Sequence, residues 1–271
     1  MNIQEKIAFL DSYGPWAVVT GASSGIGKAL ALELGKIGFD VVLVGRNKAA
    51  LLELSQEIET KFFTQTKIIE ADLSQLEGNR KVLQATAGIT VGLLVASAGF
   101  GTSGKLLDNN LETELEMIQV NCHSPLILSH SLGQKMVSRK KGGIIFISSI
   151  VAFQGVPYAA NYAGTKAYIQ SLAEGLHREL SPSKIAVLAA SPGPVGSGFA
   201  KRAGMVMGNT LKPEKIAVPI LSALGKKGTV YPGFLTKFLT GSLSLLPRWG
   251  KVRVMELVMR GFTKHQSTSI N

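Results

Sequence analysis

A chain of 271 residues with 45% hydrophobic side chains can bury one large α/β core, which excludes a disordered or fibrous protein. The single cysteine, Cys122, excludes an intramolecular disulfide, and the four histidines (His123, His130, His177 and His265) lack zinc-ligand spacing. A net charge of +11 suits anionic partners such as a phosphorylated cofactor, an acyl thioester or an anionic membrane surface, while the lack of a dense Lys/Arg run interleaved with aromatics argues against nucleic acid.

The opening "MNIQEKIAFLDSYG" carries acidic residues and no apolar core or small-residue cleavage site, so it does not resemble a secretory signal. No stretch reads as a membrane span, and the expected location is the cytoplasm. From Trp16 onward, short β-branched runs alternate with helical spacings, the pattern of stacked βαβ units. The strands are expected at 16–20, 40–45, 67–71, 92–97, 143–148, 184–190 and 228–232. Between them, Leu51, Leu54 and Ile58, and Ile169, Leu172, Leu176 and Leu180, recur at helical intervals. This predicts an α/β fold of the Rossmann type: a doubly wound, seven-stranded parallel sheet covered by helices on both faces, with a core over about 14–232 and a helical tail from Gly233 to Asn271. Any ligand is expected at the carboxyl ends of the strands.

Directly after the first strand, "TGASSGIGKAL" places Gly21, Gly25 and Gly27 where a helix begins. Such a turn lets backbone approach a pyrophosphate, and the helix N-terminus supplies free N–H groups. At the tip of the second strand stands Arg46 rather than an acidic residue, which favours the 2′-phosphate of NADP(H), because a guanidinium binds phosphate in bidentate fashion. After the third strand, Asp72 is expected near the adenine, with helix capping by Asp72 or Ser74 as the alternative.

The fifth strand runs into Ser149, and thirteen residues later comes Tyr162, with Lys166 one helical turn further on the same face. Of the five tyrosines only Tyr162 has a lysine at the fourth following position. A free phenol with pKa of about 10 is a poor acid–base catalyst at neutral pH, but a neighbouring ammonium favours the phenolate.

Taken in order, "TGASSGIG" (20–27), "ADL" (71–73), "ASAG" (96–99), Asn121, Ser149, "YAGTK" (162–166) and "SPGPVGS" (191–197) make the chain similar to the short-chain dehydrogenase/reductase family over about 16–232. The resemblance implies a catalytic set of Asn121, Ser149, Tyr162 and Lys166. Tyr162 would be the proton-transfer residue, Ser149 would bond the reacting oxygen, and Lys166 would bond the nicotinamide ribose. Asn121 would hold a water linking Lys166 to solvent. It further implies NADP(H) contacts from Gly21, Ser23, Ser24, Gly25, Ile26, Gly27, Arg46, Asp72, Leu73, Ala98 and Gly99, and from Asn121, Tyr162, Lys166, Pro192, Gly193, Val195 and Ser197. No metal is implied. The family commonly forms homodimers or homotetramers through the helices carrying Asn121 and Tyr162. One departure stands out: Ala96-Ser97 replaces the usual Asn-Asn, which puts the bracing of that turn in question.

Substrate choice in such a fold lies in the loops, so Ser149, Phe153, Val156, Tyr158, Phe199 and Met205 are expected to line an apolar pocket. In the tail, Phe234, Leu235, Phe238, Leu239, Leu245 and Leu246 are expected on one helical stripe, opposite Thr236, Lys237, Thr240 and Ser244. With Arg248, Trp249, Lys251 and Arg253 following, the tail suits a membrane interface, a cover over a lipid-like substrate, or packing on the body or a second subunit. The opening resembles those of reductases acting on steroids and long-chain 3-oxoacyl thioesters. The expected activity is NADPH-dependent reduction of a hydrophobic carbonyl, the alternatives being NADP-dependent secondary alcohol oxidation and a non-catalytic dinucleotide-binding regulator or scaffold.

Overall fold

The computed structural model describes residues 1–208 and 210–264, apart from the side chains of Leu235 and Ser244. Seven strands form one sheet: β1 (Trp16–Thr20), β2 (Asp40–Gly45), β3 (Thr66–Glu70), β4 (Val91–Ala96), β5 (Gly142–Ile147), β6 (Ile185–Ala190) and β7 (Thr229–Val230). They lie in the order β3-β2-β1-β4-β5-β6-β7, and every pairing is parallel. β4 and β5 are buried along their whole length, which explains their unbroken apolar sequence.

The helices are α1 (Ile3–Tyr13), α2 (Gly25–Ile37), α3 (Lys48–Phe62), α4 (Leu76–Ala85), α5 (Leu111–Ile118), α6 (Ser124–Arg139), α7 (Ala160–Glu179), α8 (Phe199–Arg202), α9 (Pro213–Ala223), α10 (Phe234–Ser244) and α11 (Arg248–Thr263). Side chains from α1, α2, α3 and α9 pack on one face of the sheet. Those of α4, α6 and α7 cover the other. The spacing of Leu51, Leu54 and Ile58 is met by complete burial on α3, each side chain contributing about 1.5–3 kcal/mol. A third apolar cluster, around Phe100, Met117, Tyr162, Met255 and Met259, sits apart from these two.

α1 lies before the expected core and carries its own start signal. Asn2 accepts from the Glu5 amide at 2.9 Å and its own amide donates to Glu5 Oε2 at 2.8 Å, a reciprocal cap, while Phe9 is buried against Phe39. The segment carrying Asn121 is not one helix either: α5 and α6 are joined by a π-helical turn, Gln119–His123.

The tail forms α10 and α11, and its expected stripe is divided between the outer surface and the cleft, with the Leu235 side chain outside the described residues. Phe234, Phe238 and Leu245 are 86%, 61% and 86% exposed, and the inward positions are Thr236, Leu239, Thr240 and Leu243, again at helical spacing. Thr236 is buried, and its Oγ1 accepts from the part-buried Gly193 amide at 3.2 Å, which helps hold the threonine inward. Residues 265–271 of the expected tail lie outside the described residues. Among the described residues, no helix is long and apolar enough to cross a membrane, and no group of three His, Cys, Asp or Glu could hold a metal ion.

Candidate active site

The sheet order reverses direction between β1 and β4, so the crevice beyond their carboxyl ends is the topological switch point. There the two strand-end turns touch: a Cβ on Gly21 would lie 2.8 Å from Ala98 Cα. Gly25 adopts φ 57°, and a Cβ there would come within 2.9 Å of Ser197 Cβ; a Cβ on Gly27 would collide with the Gly21 carbonyl oxygen. Ser24, at the start of α2, makes no side-chain cap, so the first-turn amides of that helix are left for another acceptor. A backbone cradle that side chains would fill, opening on uncapped amides, fits a pyrophosphate.

One cleft of about 600 Å³ begins at this turn and ends under the tail. Every residue expected to contact a dinucleotide lines it except Asn121, which lies behind the wall. Asn121 is buried, with Nδ2 donating to the Phe100 carbonyl at 2.8 Å and to Thr165 Oγ1 at 3.0 Å, and Oδ1 accepting from the Phe100 amide at 3.1 Å. It therefore ties α7 to the loop after β4.

The unusual Ala96-Ser97-Ala98-Gly99 turn is braced from the other side. Thr20 Oγ1 accepts from both the Ser97 and the Ala98 amides at 3.0 Å, which holds the turn to the end of β1. No sequence argument singled out Thr20, although its place at the end of β1, beside β4, was readable. Asp72 neither caps α4, which begins after Gln75, nor is free. It accepts from the Ser74 amide at 3.0 Å and the Ser74 hydroxyl at 2.8 Å. Partial burial would raise its pKa, but these bonds and the Arg46 and Arg202 guanidiniums hold it below the usual carboxylate range.

Ser149, Tyr162 and Lys166 converge on the floor of the cleft. Ser148, the neighbour with which Ser149 could be confused, spends its hydroxyl proton on the Lys166 carbonyl at 3.1 Å, holding α7 to the end of β5. Burial raises the Tyr162 phenol well above its ordinary value, and only the Ser149 hydroxyl pulls it back. The expectation that the lysine lowers this pKa is thus not met in the protein alone: Lys166 Nζ lies 5.8 Å from the ring centroid and donates to the Ile147 carbonyl at 2.9 Å. Burial lowers Lys166 itself to about 8, with Cys122 opposing. Cys122, half-buried, is pushed up to about 11 by burial, as a packing thiol is.

Of the six expected pocket residues, Ser149, Phe199 and Met205 line the cleft; Phe199 stands 5.2 Å from the Tyr162 ring. Phe153, Val156 and Tyr158 do not. Phe153 packs on Tyr231 at 5.7 Å, Val156 is sealed in the third cluster, and the loop reverses at Tyr158, whose φ is 64° and whose carbonyl accepts from the Gly104 amide. Their place is taken by tail residues that roof the cleft: Leu239, already on the expected stripe, with Leu243, Met255, Met259 and Phe262, as the substrate-cover reading of the tail expects.

Residues 15–205 match the short chain dehydrogenase family. A 7beta-hydroxysteroid dehydrogenase of Clostridium sardiniense is 31% identical over 242 residues, covering 88% of this chain and 90% of that protein. The very-long-chain 3-oxoacyl-CoA reductase-B of Danio rerio is 33% identical over 242 residues, covering 87% of this chain and 77% of that one. Among solved structures, a short-chain dehydrogenase from Sphingobium yanoikuyae in complex with NADPH superposes with a TM-score of 0.77 at 26% identity, over 87% of this chain and 97% of the other. The fold, the glycine cradle and the extent of these matches lead to one assignment: the chain belongs to the short-chain dehydrogenase family of oxidoreductases.

Proposed function

We propose that the protein reduces a bulky, hydrophobic, lipid-like ketone to a secondary alcohol with NADPH. The observation that carries this reading is the placing of the Tyr162 phenol beside the Ser149 hydroxyl at the floor of an apolar cleft. Bound NADPH supplies the hydride for the carbonyl carbon. The Ser149 hydroxyl donates a hydrogen bond to the carbonyl oxygen, and Tyr162 gives that oxygen its proton as charge develops. Burial raises the phenol above its ordinary pKa, so the site without cofactor holds the protonated form from which donation starts. The Ser149 hydroxyl then stabilises the tyrosinate left behind. Asn121 fixes the distance between α7 and the β4 loop, and its Oδ1 keeps acceptor capacity for a water that could resupply the proton.

The dinucleotide would be held by the Gly21–Gly27 turn, by Arg46 at the 2′-phosphate, by Lys166 at the ribose and by the 192–197 loop. The tail roof of leucine, methionine and phenylalanine suits a large apolar substrate, in keeping with the steroid and 3-oxoacyl-CoA named for the relatives. A panel of carbonyl compounds, followed by loss of NADPH absorbance, tests the reading. Turnover is expected with steroid-sized or long-chain 3-oxo compounds and not with small polar aldehydes. Tight NADPH binding with no turnover across such a panel would leave the protein a dinucleotide-binding regulator.

The outer face of the tail extends the reading. Phe234, Phe238, Leu245, Trp249 and Leu257 are exposed, and over residues 233–264 Lys237, Arg248, Lys251, Arg253, Arg260 and Lys264 face a lone acid, Glu256. Apolar side chains among cations suit an anionic lipid surface, from which a lipid-like substrate would reach the cleft beneath the same helices. Vesicles containing phosphatidylserine should co-sediment the protein, and Phe238→Ser/Trp249→Ser should abolish this. Vesicle-independent dimerisation lost in the same variant would assign the face to a second copy instead.

A further inference from the structure

The adenine end of the cleft holds a charge cluster that the family resemblance does not supply. Arg46, from the tip of β2, and Arg202, from the last residue of α8, both direct a guanidinium at the same atom, Glu116 Oε1 on α5, at 3.1 and 3.3 Å. The two arginines lie 156 positions apart in sequence, and both line the cleft. The Arg202 guanidinium carbon also lies over the Phe100 ring, 3.6 Å from its centroid, a cation–π contact that helps hold the guanidinium in place. Two cations converging on one oxygen make an anion site already built, with a carboxylate in it.

We propose that Glu116 stands in for the 2′-phosphate of the cofactor, and that Arg202 is a second specificity residue through which that phosphate fastens the substrate lid. The proposal rests on the NADP(H) reading above and deepens it. A phosphate monoester carries about two negative charges and three acceptor oxygens, against one charge on the carboxylate, so it outcompetes Glu116 for two guanidiniums. Once Arg202 is engaged, α8 is held from its carboxyl end, while Ser103 Oγ holds the Ala203 carbonyl at 2.6 Å. At the other end of α8 is Phe199, the aromatic wall beside Tyr162. Reading the 2′-phosphate therefore sets the wall of the ketone pocket. A cofactor lacking this phosphate leaves Arg202 on Glu116 and fills the same cradle without exchanging the lid's anchor.

Calorimetric titration with adenosine 2′,5′-bisphosphate and with adenosine 5′-monophosphate separates this idea from the reading on which it rests. The wild type should prefer the bisphosphate. Arg202→Ala should weaken bisphosphate binding about tenfold or more, the size of a lost charge-assisted bond, with the monophosphate unchanged within about twofold. Glu116→Gln should tighten bisphosphate binding, since the competing charge is gone. Tryptic cleavage after Lys201 and Arg202 should slow with the bisphosphate and not with the monophosphate. Equal affinities of the wild type for both ligands would overturn the NADP(H) reading. A retained preference, lost in Arg46→Ala but untouched in Arg202→Ala, would overturn the lid contact alone. Weaker bisphosphate binding in Glu116→Gln would show that Glu116 orients the arginines and is not a stand-in.

Discussion

Tyr162→Phe is expected to lower kcat with a hydrophobic ketone by about three orders of magnitude, within the range for loss of a positioned general acid, while the Kd for NADPH changes by less than about threefold. The reason is chemical. The phenol stands at the cleft floor with one neighbour able to stabilise its ionised form, Ser149, and phenylalanine keeps the ring that packs against Phe199 and beneath Lys166. The substitution deletes one oxygen from a buried position, so it neither opens a large cavity nor strands a partner of Asn121. The thermal midpoint should hold or rise slightly, because the Ser149 hydroxyl retains the Val151 amide as a donor. Stopped-flow measurement of a single turnover, with titration of NADPH by fluorescence, distinguishes the outcomes. A kcat within tenfold of wild type would remove Tyr162 from proton transfer, and a parallel collapse of NADPH binding would make it a cofactor ligand first.

The sheet was legible because every strand but the edge strand β3 is an apolar run bounded by turn residues, and burial on two faces leaves little else such a run can be. The floor of the cleft was legible for a local reason: Gly21, Gly25 and Gly27 sit in one turn, and Tyr162 and Lys166 sit on one turn of α7. What escaped is long-range. The bonds from Thr20 to the Ser97 and Ala98 amides span 77 and 78 positions, and the Arg202–Glu116 pair spans 86, separations over which periodicity carries no signal. The tail was legible only in part. Hydrophobic spacing groups Phe234 and Phe238 with Leu239, yet Phe234 and Phe238 are exposed while Leu239 lines the cleft and buried Thr236 accepts from the Gly193 amide. Gly164, in the middle of the Tyr-x3-Lys motif, gives the opposite lesson. A Cβ there would meet nothing within 4 Å, so no contact within the described residues calls for its small size.

Lys166→Met should reveal the cost of holding an ammonium at the cleft floor, through the pH dependence of stability rather than through its value at one pH. Lys166 is 7% exposed, and burial lowers its pKa from 10.5 to about 8 in the folded protein without cofactor. Below pH 8 the group is charged in both folded and unfolded chains, and folding carries the whole desolvation cost. Between pH 8 and 10.5 the folded chain releases the proton while the unfolded chain keeps it, so the unfolded state binds more protons and stability rises with pH. The rise attributable to this residue approaches about 3 kcal/mol, an order-of-magnitude conversion of the shift. Tyr162 works the other way, since its raised pKa withdraws stability once unfolded phenols ionise above about pH 10, but that contribution is common to both proteins. The quantity to measure is therefore the difference between wild type and Lys166→Met in urea unfolding free energy at pH 7.5, 9 and 10, without cofactor. That difference should move in favour of the wild type as pH increases. A flat difference would mean that the Ile147 carbonyl and the surrounding dipoles fully replace water around the ammonium, leaving Lys166 charged through the working range.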